Sequence, residues 1–587
     1  MNYTADFETL TYLEGGATRI WSYGICEIDN INNFMYGNNM DDFMKWCSRS
    51  EYENDTLYFH NLAFDGKFIF DYLFNLGYKH VIDRKECDSK TFTSLISNMG
   101  AFYSIEIYFK VQGKHINKVT LYDSLKIINM PVKKVAKSFD LPIKKGEIDY
   151  KEIRDTNHKI TENELSYLRN DCEIMARALK VLFDEDLTEM TQGSNALADY
   201  KKIVTKKAFD YCFPIPSYDS EVRKSYKGGF TYVNPKFKGK VIGEGIVLDV
   251  NSLYPSVMYK EKLPFCEGKK FDGKYEDDKM YDLYVQKFTC QFEIKPDHIP
   301  TLQLKNNPSY IGNEYVLKSN PKDTEPLTLT SVDLKLFFEH YNVYNFDPLG
   351  GWKFRSNIGM FTEYIDKWSK RKIQAKIDGN EGQYTISKLF LNALYGKFAL
   401  NPVVQSKIPY MDETGIVKYT LGEEEQRSPI YIPVGTFITA YARYKTITSA
   451  QKVYDRFCYA DTDSLHLIGT EIPEGLEISD TILGAWKHES TFYKAKFLRQ
   501  KSYIEMEKKH KKCMPLNKVG KVTKLKHTEN IMHVTCSGMS DRCYPFVTFD
   551  NFEIGAEYEG KLKPKIVKGG VILEDTSFTI KTAKVGL

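Results

Sequence analysis

Two carboxylates lie two residues apart in the segment 459–464, Tyr-Ala-Asp-Thr-Asp-Ser, which has apolar and aromatic runs on both sides. The pattern predicts the tip of a β-hairpin. Residues two apart on an extended segment face the same way, so Asp461 and Asp463 would repel each other unless a cation lay between them. Asp-Thr-Asp alone is more often an ordinary polar turn, and a metal site therefore requires support from other segments.

The composition limits the class of protein. A chain of 587 residues with 42% hydrophobic residues is long enough for several folded domains. The formal net charge of +3 does not by itself indicate a nucleic-acid binder, and whether the basic run from Lys508 to Lys526 touches DNA is left open. The 11 cysteines form no Cys-x-x-Cys pair, so neither a disulfide framework nor a zinc site is predicted. We expect a reducing, intracellular compartment, without a signal peptide or a membrane span.

Two further acidic segments occur near the start of the chain. Asp6 and Glu8 flank a phenylalanine in a strand-like run, so both carboxylates would project from one face of a strand. Asp65 follows the β-like stretch 57–62 and would lie near the junction with a helix predicted from Phe68.

A third segment, 161–183, has helical periodicity and starts with a capping-box pattern at Thr161 and Glu164. It places Tyr167 and Asp171 on one helix face. Carboxylates from these separate elements could hold two magnesium or manganese ions, which take oxygen ligands and clamp the attacking and leaving oxygens of a phosphodiester. Tyr167 could orient the attacking water, or simply pack in the core.

The Asp-x-Glu, Asn-x-x-x-Asp and Tyr-x-x-x-Asp segments resemble the three exonuclease motifs of proofreading DNA polymerases. The resemblance implies an RNase H-like domain that removes misinserted nucleotides from a 3′ end. It implies these metal ligands: Asp6, Glu8, Asp65 and Asp171. It implies these contacts with the single-stranded primer end: His60, Asn61 and Phe64. A catalytic lysine of the same family matches Lys145, with Lys144 as the alternative.

The run from Gly245 to Tyr259 reads as a strand that ends at Asp249 and enters a helix. Asp249 could complete, with the two hairpin acids, a cage for two magnesium ions that also hold a triphosphate. The segment resembles motif A of family B DNA polymerases. That resemblance implies that the carbonyl of Val250 also reaches a metal and that Tyr254 lies under the nucleotide sugar, where it excludes ribonucleotides.

Lys388, Asn392 and Tyr395 fall on one stripe of a predicted helix, at i, i+4 and i+7. A solvated amphipathic helix would show a similar pattern. The segment resembles motif B of the same family, although Ala393 stands where many relatives have Ser. The resemblance implies that Lys388, Asn392 and Tyr395 bind the incoming nucleotide.

Two shorter segments resemble DNA-binding motifs of this family. Within a connection rich in Pro, Gly and Lys, the residues Tyr226, Gly228 and Gly229 match a Tyr-x-Gly-Gly motif that grips template between two domains, although a plain turn would look alike. Lys501 and Tyr503, which alternate as on a strand, match a Lys-x-Tyr motif that contacts the primer end.

The connection between motifs A and B is longer than the bare fold requires, and a second extra segment with a strand-turn-strand pattern follows at 408–419. Two inserts at these places resemble the protein-primed branch of family B, the phi-twenty-nine type of phage polymerase. In that group the first insert helps to hold a terminal protein whose hydroxyl primes synthesis, and the second encloses DNA and favours strand displacement. Ser124 and Leu125 match a segment that contacts single-stranded DNA and the terminal protein.

These patterns predict an α/β and α+β multidomain fold, an RNase H-like exonuclease domain followed by a right-hand polymerase domain with palm, fingers, thumb and two inserts. The expected boundaries are 1–190 for the exonuclease domain, 191–240 for the connection and 241–587 for the polymerase domain. Within the latter we expect insert one at about 302–361, fingers at 362–398, insert two at 399–433, palm to 530 and thumb at 531–587.

The expected function is protein-primed, strand-displacing DNA synthesis on a linear viral genome with 3′–5′ proofreading. Two alternatives stay open: a family B polymerase that extends only nucleic-acid primers, and a catalytically inactive DNA-binding scaffold. The expected cofactors are two Mg²⁺ ions per active site, with Mn²⁺ possible, and the candidate catalytic acids of synthesis are Asp249, Asp461 and Asp463. Expected partners are template and primer DNA, deoxynucleoside triphosphates and a terminal protein, bound by a monomer in the cytoplasm of an infected host cell.

Overall fold

The computed structural model describes residues 1–49, 54–150, 152–303, 315–319, 325–511 and 527–581. Parts of the predicted first insert and the end of the predicted thumb lie outside these ranges. The side chains of the basic run from Lys508 to Lys526 also lie outside the described part of the chain. Within the described residues, no helix combines the length and apolar character needed to cross a membrane.

The N-terminal domain is built on one mixed sheet. Its elements are β1 (Asn2–Thr9), β2 (Ile20–Glu27), β3 (Phe34–Gly37), α1 (Met40–Cys47), β4 (Asp55–Phe59), α2 (Leu62–Asn75), β5 (Lys79–His80), β6 (Thr91–Ile96), β7 (Phe102–Gln112), β8 (His115–Asp123), α3 (Val132–Ser138) and α4 (Glu162–Phe183), with short 3₁₀ turns at Arg84–Glu86 and Ser124–Lys126. The strand order is β3-β2-β1-β4-β8-β7-β6-β5. Strand β1 pairs in parallel with β4 and antiparallel with β2, so it lies inside the sheet.

The predicted helix over 161–183 is confirmed: both hydrogen bonds of the capping box between Thr161 and Glu164 form at the start of α4. This helix lies across β1 and β2, where the Thr4 hydroxyl donates to the Cys172 carbonyl at 2.8 Å. Helix α2 starts at Leu62, earlier than predicted, since the chain turns sharply at Asn61 with a φ of 85°. Asp65 consequently lies in the first turn of α2.

The second large sheet follows after a helical connection. The elements are α5 (Gln192–Val204), α6 (Lys206–Cys212), α7 (Asp219–Arg223), β9 (Thr231–Val233), β10 (Val241–Ile242), β11 (Gly245–Val250), α8 (Leu253–Lys260), β12 (Leu263–Phe271), β13 (Leu283–Ile294), β14 (Leu327–Thr330), α9 (Ser331–His340), β15 (Tyr341–Asn357), α10 (Thr362–Ile377), α11 (Glu381–Phe398), β16 (Val403–Met411), β17 (Val417–Gln426), α12 (Ile432–Lys452), β18 (Phe457–Asp461), β19 (Ser464–Ile468), β20 (Trp486–Arg499), β21 (Ser502–Lys511) and β22 (His527–Cys536). The strand order is β22-β21-β20-β11-β19-β18-β9, with β10 on β20. Helices α5, α8, α10, α11 and α12 pack together beside it, around buried rings such as the stacked pair Trp368 and Phe390.

Two smaller β-structures branch from this part. One is the sheet β12-β15-β13-β14, which packs on α9 around Phe288 and Phe337 and starts at Leu263, so it extends beyond the predicted insert 302–361. The other is the hairpin β16–β17, which confirms the predicted strand-turn-strand pattern. In its turn one carboxylate oxygen of Asp412 accepts the amide of Thr414 at 3.0 Å.

The C-terminal hairpin, β23 (Glu557–Val567) and β24 (Gly570–Thr579), follows a 3₁₀ turn at Asp541–Phe546, and its own turn rests on the N-terminal domain. The Thr18 amide donates to the Lys568 carbonyl at 2.9 Å. The Gly569 amide donates to the Asp71 carboxylate at 2.9 Å. Val571 joins the apolar core of the N-terminal domain. The C-terminal hairpin is thereby joined to the N-terminal domain.

Gly569→Ala should loosen this joint. Gly569 has a φ of +88°, and an added Cβ would lie 1.9 Å from the Thr18 carbonyl oxygen, so the turn must withdraw and lose both hydrogen bonds. Two lost hydrogen bonds amount to about 2 kcal/mol. Hydrogen exchange followed by mass spectrometry should therefore be at least about tenfold faster in peptides that cover Thr18 and Gly569.

Gly555→Ala is the matched control. Its φ of +93° imposes a similar backbone strain, but nothing lies within 4 Å of its added Cβ. Equal acceleration of exchange around Thr18 in both variants would show that backbone strain, and not the contact, causes the change.

Candidate active sites

The first acidic cluster lies where β1 meets α4. One carboxylate oxygen each from Asp6, Glu8 and Asp171 lie within 4.8 Å of one another. Asp65, from the first turn of α2, lines the same cavity of about 350 Å³. The structure therefore brings together the four acids that the sequence predicted to meet. An all-carboxylate donor set fits a hard divalent cation such as Mg²⁺.

The carboxyl groups of this cluster have raised pKa values because they are buried and close together. Burial, then the neighbouring Asp171, raises the pKa of Asp6 to about 7. Burial, with the charge of Asp6 next, also raises the pKa values of Glu8 and Asp65 well above the usual range. Carboxylates that resist ionisation in close contact are groups that a divalent cation would stabilise in the charged form.

The structure distinguishes the two candidate lysines. Lys144 is exposed, whereas Lys145 lines the cavity and its ammonium group donates to Asp171. Burial opposes the charge of Lys145, but Asp171 and Asp6 outweigh it and raise its pKa. The ammonium group also lies 5.2 Å from the ring centre of Tyr167.

Tyr150 is a cavity residue that the sequence did not single out. Its hydroxyl lies 2.7 Å from the Tyr167 hydroxyl, and both rings line the cavity. A tyrosine in a polar loop carries no periodic signal, so only the folded structure reveals the pair.

The three predicted primer-end residues all line the cavity, but they differ in exposure and in hydrogen bonding. Asn61 and Phe64 line the cavity, with Asn61 exposed and Phe64 half-buried. His60 lines it as well, but its two ring nitrogens lie 2.9 Å from the Ser124 hydroxyl and 2.8 Å from the Met130 carbonyl. Ser124 is fully buried and orients His60 in this structure, and the half-buried Leu125 follows it.

The second acidic cluster lies on β11 and the β18–β19 hairpin. Asp249 stands opposite Ser464 in the register of β11 and β19, and the Val250 amide donates to the Asp463 carbonyl at 2.8 Å. Burial, then the charges of Asp463 and Glu489, raises the pKa of Asp249 to about 7. The predicted proximity of Asp249 to the hairpin is confirmed.

The expectation that Asp461 and Asp463 lie two apart on an extended segment is wrong. Thr462 has a φ of 61°, so the chain turns between them. Asp461 accepts a hydrogen bond from the Thr231 hydroxyl at 3.0 Å and lies 3.7 Å from the Lys501 ammonium group. Of the two hairpin acids, Asp463 is the one whose charge helps to raise the pKa of Asp249.

Glu489 is a further acid near Asp249 and Asp463, whose pKa values it helps to raise. It lies in β20, next to an irregularity in the pairing of β20 with β11 between Val247 and Leu248. No motif marks it, because its position depends on the pairing of distant strands.

The predicted nucleotide-binding residues lie beside this cluster. Tyr254 and Tyr395 stack with ring centres 4.0 Å apart, which joins the start of α8 to α11. Lys388, on α11 as predicted, lies close enough to lower the pKa values of Asp249 and Asp463. Asn392 lies one turn further along and donates to the carbonyl of Lys388 at 3.2 Å.

The Tyr226–Gly229 segment packs against the hairpin turn. A Cβ on Gly229 would lie 2.6 Å from the Thr462 hydroxyl, so this close approach requires glycine. Arg443, which the sequence did not single out, donates to the carbonyls of Lys227 and Gly228 at 2.7 and 2.8 Å. Its guanidinium group also binds Asp333 of α9.

Lys501 and Tyr503 lie at the start of β21. Lys501 precedes the strand in a turn with a φ of 54°, so it does not alternate with Tyr503 on a strand as predicted. Its amide donates to the Tyr459 hydroxyl at 3.0 Å. The rings of Tyr459 and Tyr503 lie 4.9 Å apart beneath the hairpin.

Asp249→Asn should stabilise the metal-free protein in a pH-dependent way. Because folding raises the pKa of Asp249 from 3.8 to about 7, ionisation costs stability as the pH rises through that range, and the cost is absent below it. After a discount for the partial exposure of Asp249, ionisation lowers the free energy of unfolding by about 2 kcal/mol above pH 7. Thermal unfolding in EDTA should give the variant the higher midpoint at pH 8 and equal midpoints near pH 4.

Asp455→Asn serves as the control, since the Asp455 side chain is 96% exposed. A difference between Asp249→Asn and the wild type that is constant with pH would contradict the electrostatic origin.

Comparison with known proteins places the chain in a family. The model of the family described as DNA polymerase type B, organellar and viral, matches residues 46–481. The DNA polymerase of Bacillus phage Nf is 46% identical, and the alignment covers 99% of each chain. The solved structure of phi29 DNA polymerase with primer-template DNA superposes with a TM-score of 0.91 at 44% identity, over 99% of this chain and 100% of that one. The solved ternary complex of phi29 DNA polymerase with primer-template DNA and incoming nucleotide superposes with a TM-score of 0.90 at 43% identity, with the same coverage of the two chains.

A likeness of this extent shows a shared fold, so the predicted multidomain architecture, with an exonuclease domain and a polymerase domain, is confirmed. The predicted family is confirmed as well. The chain therefore belongs to the type B DNA polymerases, among the phage enzymes of the phi29 type that carry out DNA-directed DNA synthesis.

Proposed function

We propose that this polymerase also proofreads with a 3′–5′ exonuclease, and that it starts strand-displacing replication of a linear viral genome from a protein primer. The observation that carries the proofreading proposal is the presence of two carboxylate clusters on two different sheets, each with one acid whose pKa is raised to about 7. The solved phi29 complexes contain primer-template DNA and incoming nucleotide, which supports the same ligands here.

For synthesis, two Mg²⁺ ions, or Mn²⁺, held by Asp249, Asp463 and the Val250 carbonyl would neutralise the triphosphate and activate the primer 3′-hydroxyl. Lys388 offers a positive charge beside these acids for the triphosphate. The stacked ring of Tyr254 forms a rigid wall under the sugar, which leaves no room for a 2′-hydroxyl. Asp461, tied to Thr231 and Lys501, orients the hairpin turn.

For proofreading, the four acids of the first cluster would hold the divalent ions that polarise the scissile phosphate. The Tyr167 hydroxyl, oriented by Tyr150, is placed to position the attacking water. Lys145 holds Asp171 in place and supplies positive charge. The ring of Phe64 offers a stacking surface for an unpaired base.

Strand displacement and processivity have support in the way two hairpins are held. The β16–β17 hairpin meets the N-terminal domain through a bridge between Ser97 and Ser406 and through Tyr419, whose ring lies 6.3 Å from that of Phe102. The β23–β24 turn rests on the same domain. Hairpins held at their ends could enclose DNA without letting it dissociate.

The remaining proposals concern context. A terminal protein would present its priming hydroxyl to the second cluster, with contacts near the half-buried Leu125 and the first insert. Ser124, which is fully buried, would act only by orienting His60. We propose that the polymerase acts as a monomer in the cytoplasm of an infected host cell.

Single substitutions should separate the two activities. Asp249→Ala or Asp463→Ala should lower primer extension in magnesium by roughly a thousandfold or more, because several kcal/mol of charge stabilisation is lost, yet leave degradation of single-stranded DNA. Asp6→Ala should show the reverse. Both are measured on a labelled primer, annealed and free.

Asp455→Ala, which removes an exposed carboxylate, should retain both activities. Near-normal extension by Asp249→Ala would refute the synthesis site, and loss of both activities in Asp6→Ala would show that the sites are not separate.

Protein priming predicts a labelled protein product. When the polymerase, magnesium and a labelled deoxynucleotide are added to an extract of infected cells, a polypeptide should acquire label that survives nuclease and is removed by protease. Addition of Asp249→Ala instead should give no more label than the extract alone. If label enters nucleic acid alone, the polymerase extends only nucleic-acid primers.

A further inference from the structure

The loop between α3 and α4 carries two residues of the first site without regular structure of its own. Its described residues, 141–150 and 152–160, form turns but neither helix nor strand. Lys145 and Tyr150 nevertheless reach the cavity. A loop that lacks backbone ladders must be positioned by side-chain contacts if it is to place catalytic groups accurately.

Arg154 makes those contacts. It is only 3% exposed, and its guanidinium group donates to the carbonyls of Asp149 and Glu152 at 2.9 and 3.2 Å. The same group lies 4.5 Å above the ring centre of Trp21 on β2. Because the guanidinium group of Arg154 binds the Asp149 carbonyl, it fixes the peptide bond between Asp149 and Tyr150.

A further hydrogen bond of Arg154 connects the loop to α4. Its Nε donates to Glu164 at 2.6 Å, and Glu164 also accepts from His158 and from the Thr161 amide. Burial alone would raise the pKa of Glu164, but the hydrogen bonds from Thr161, Arg154 and His158 lower it to about 2. Glu164 is thus an ionised, buried partner.

The position of Glu164 on α4 relates this bond to the chemistry. Tyr167 lies three residues and Asp171 seven residues further along, which places all three on one helix face. Neither Arg154 nor Glu164 lines the cavity. Their bond therefore sets the loop against the helix face that carries Tyr167 and Asp171.

We infer that Arg154 and Glu164 are positioning residues for the exonuclease reaction: their bond holds the loop so that Tyr150 lies against Tyr167. This inference rests on the proposed proofreading activity. Loss of the bond leaves the metal-binding acids in place but lets the loop move, which reduces the rate more than substrate binding.

The test uses the full-length protein and a labelled single-stranded oligonucleotide in magnesium. Arg154→Ala should lower kcat of degradation by roughly ten- to a hundredfold with KM changed by less than about threefold, while primer extension stays within about twofold. Arg154→Lys, which retains the positive charge but not the several donors of the guanidinium group, should have a kcat higher than that of Arg154→Ala but lower than that of the wild type. Glu164→Gln, which keeps the side-chain shape in the capping box of α4, should lower kcat to a value between those of the wild type and Arg154→Ala.

A double-mutant cycle separates positioning from general destabilisation. Tyr150→Phe combined with Arg154→Ala should be no slower than the slower single variant, because both act through the same hydroxyl pair. Arg177→Ala is the matched control: it removes an arginine that pairs with Glu173 on the same helix, and it should degrade DNA like the wild type.

The outcomes are distinct. Wild-type degradation by Arg154→Ala, or multiplicative losses in the double variant, would overturn the positioning role while the proofreading proposal stands. Failure of the wild type to degrade single strands more than Asp6→Ala would overturn both.

Discussion

Repulsion between carboxylates that folding brings into contact is the constraint on which both sites depend. Asp6 and Asp249 each have a pKa raised to about 7 by burial and by neighbouring acids. Ionisation of such groups works against the fold, so the surrounding structure must be rigid enough to hold them. Both acids lie on strands inside their sheets, β1 between β2 and β4, and β11 between β19 and β20. An interior strand bonded on both sides meets that need.

Helix α2 of the N-terminal domain also contacts both of the hairpins β16–β17 and β23–β24. This helix supplies Asp65 to the first cluster, and Asp71 on the same helix binds the turn of the C-terminal hairpin. The β16–β17 hairpin packs on it as well. Elements that close over DNA in the proposed function therefore rest on the helix that carries one of the proofreading acids.

Loops beside both clusters are held by side-chain hydrogen bonds instead of the backbone hydrogen bonds of a helix or sheet. Gly229 and Thr462 bring two loops into contact beside the second cluster, with Arg443 bound to the carbonyls of Lys227 and Gly228. Arg154 has the same role in the loop of the first cluster. In both cases a buried guanidinium group binds backbone carbonyls and a buried carboxylate, which satisfies its donors and gives an irregular segment one defined conformation.

Local patterns in the sequence determined much of this protein. The capping box of α4, the stripe on α11, the strand and helix around Asp249 and the turn of β16–β17 follow from side-chain spacing and from hydrogen bonds within a few residues. The roles of the motif acids came from the resemblance of their segments to the motifs of the polymerase family. Tertiary structure alone decided that Lys145 and not Lys144 enters the cavity, and that Asp463 is the hairpin acid whose charge raises the pKa of Asp249. It also decided that Tyr150 and Glu489 belong to the sites and that Arg154 holds the loop of the first site. Those outcomes depend on which distant strands pair and where a strand irregularity falls, and no local spacing encodes the energy of contacts between segments far apart in the chain.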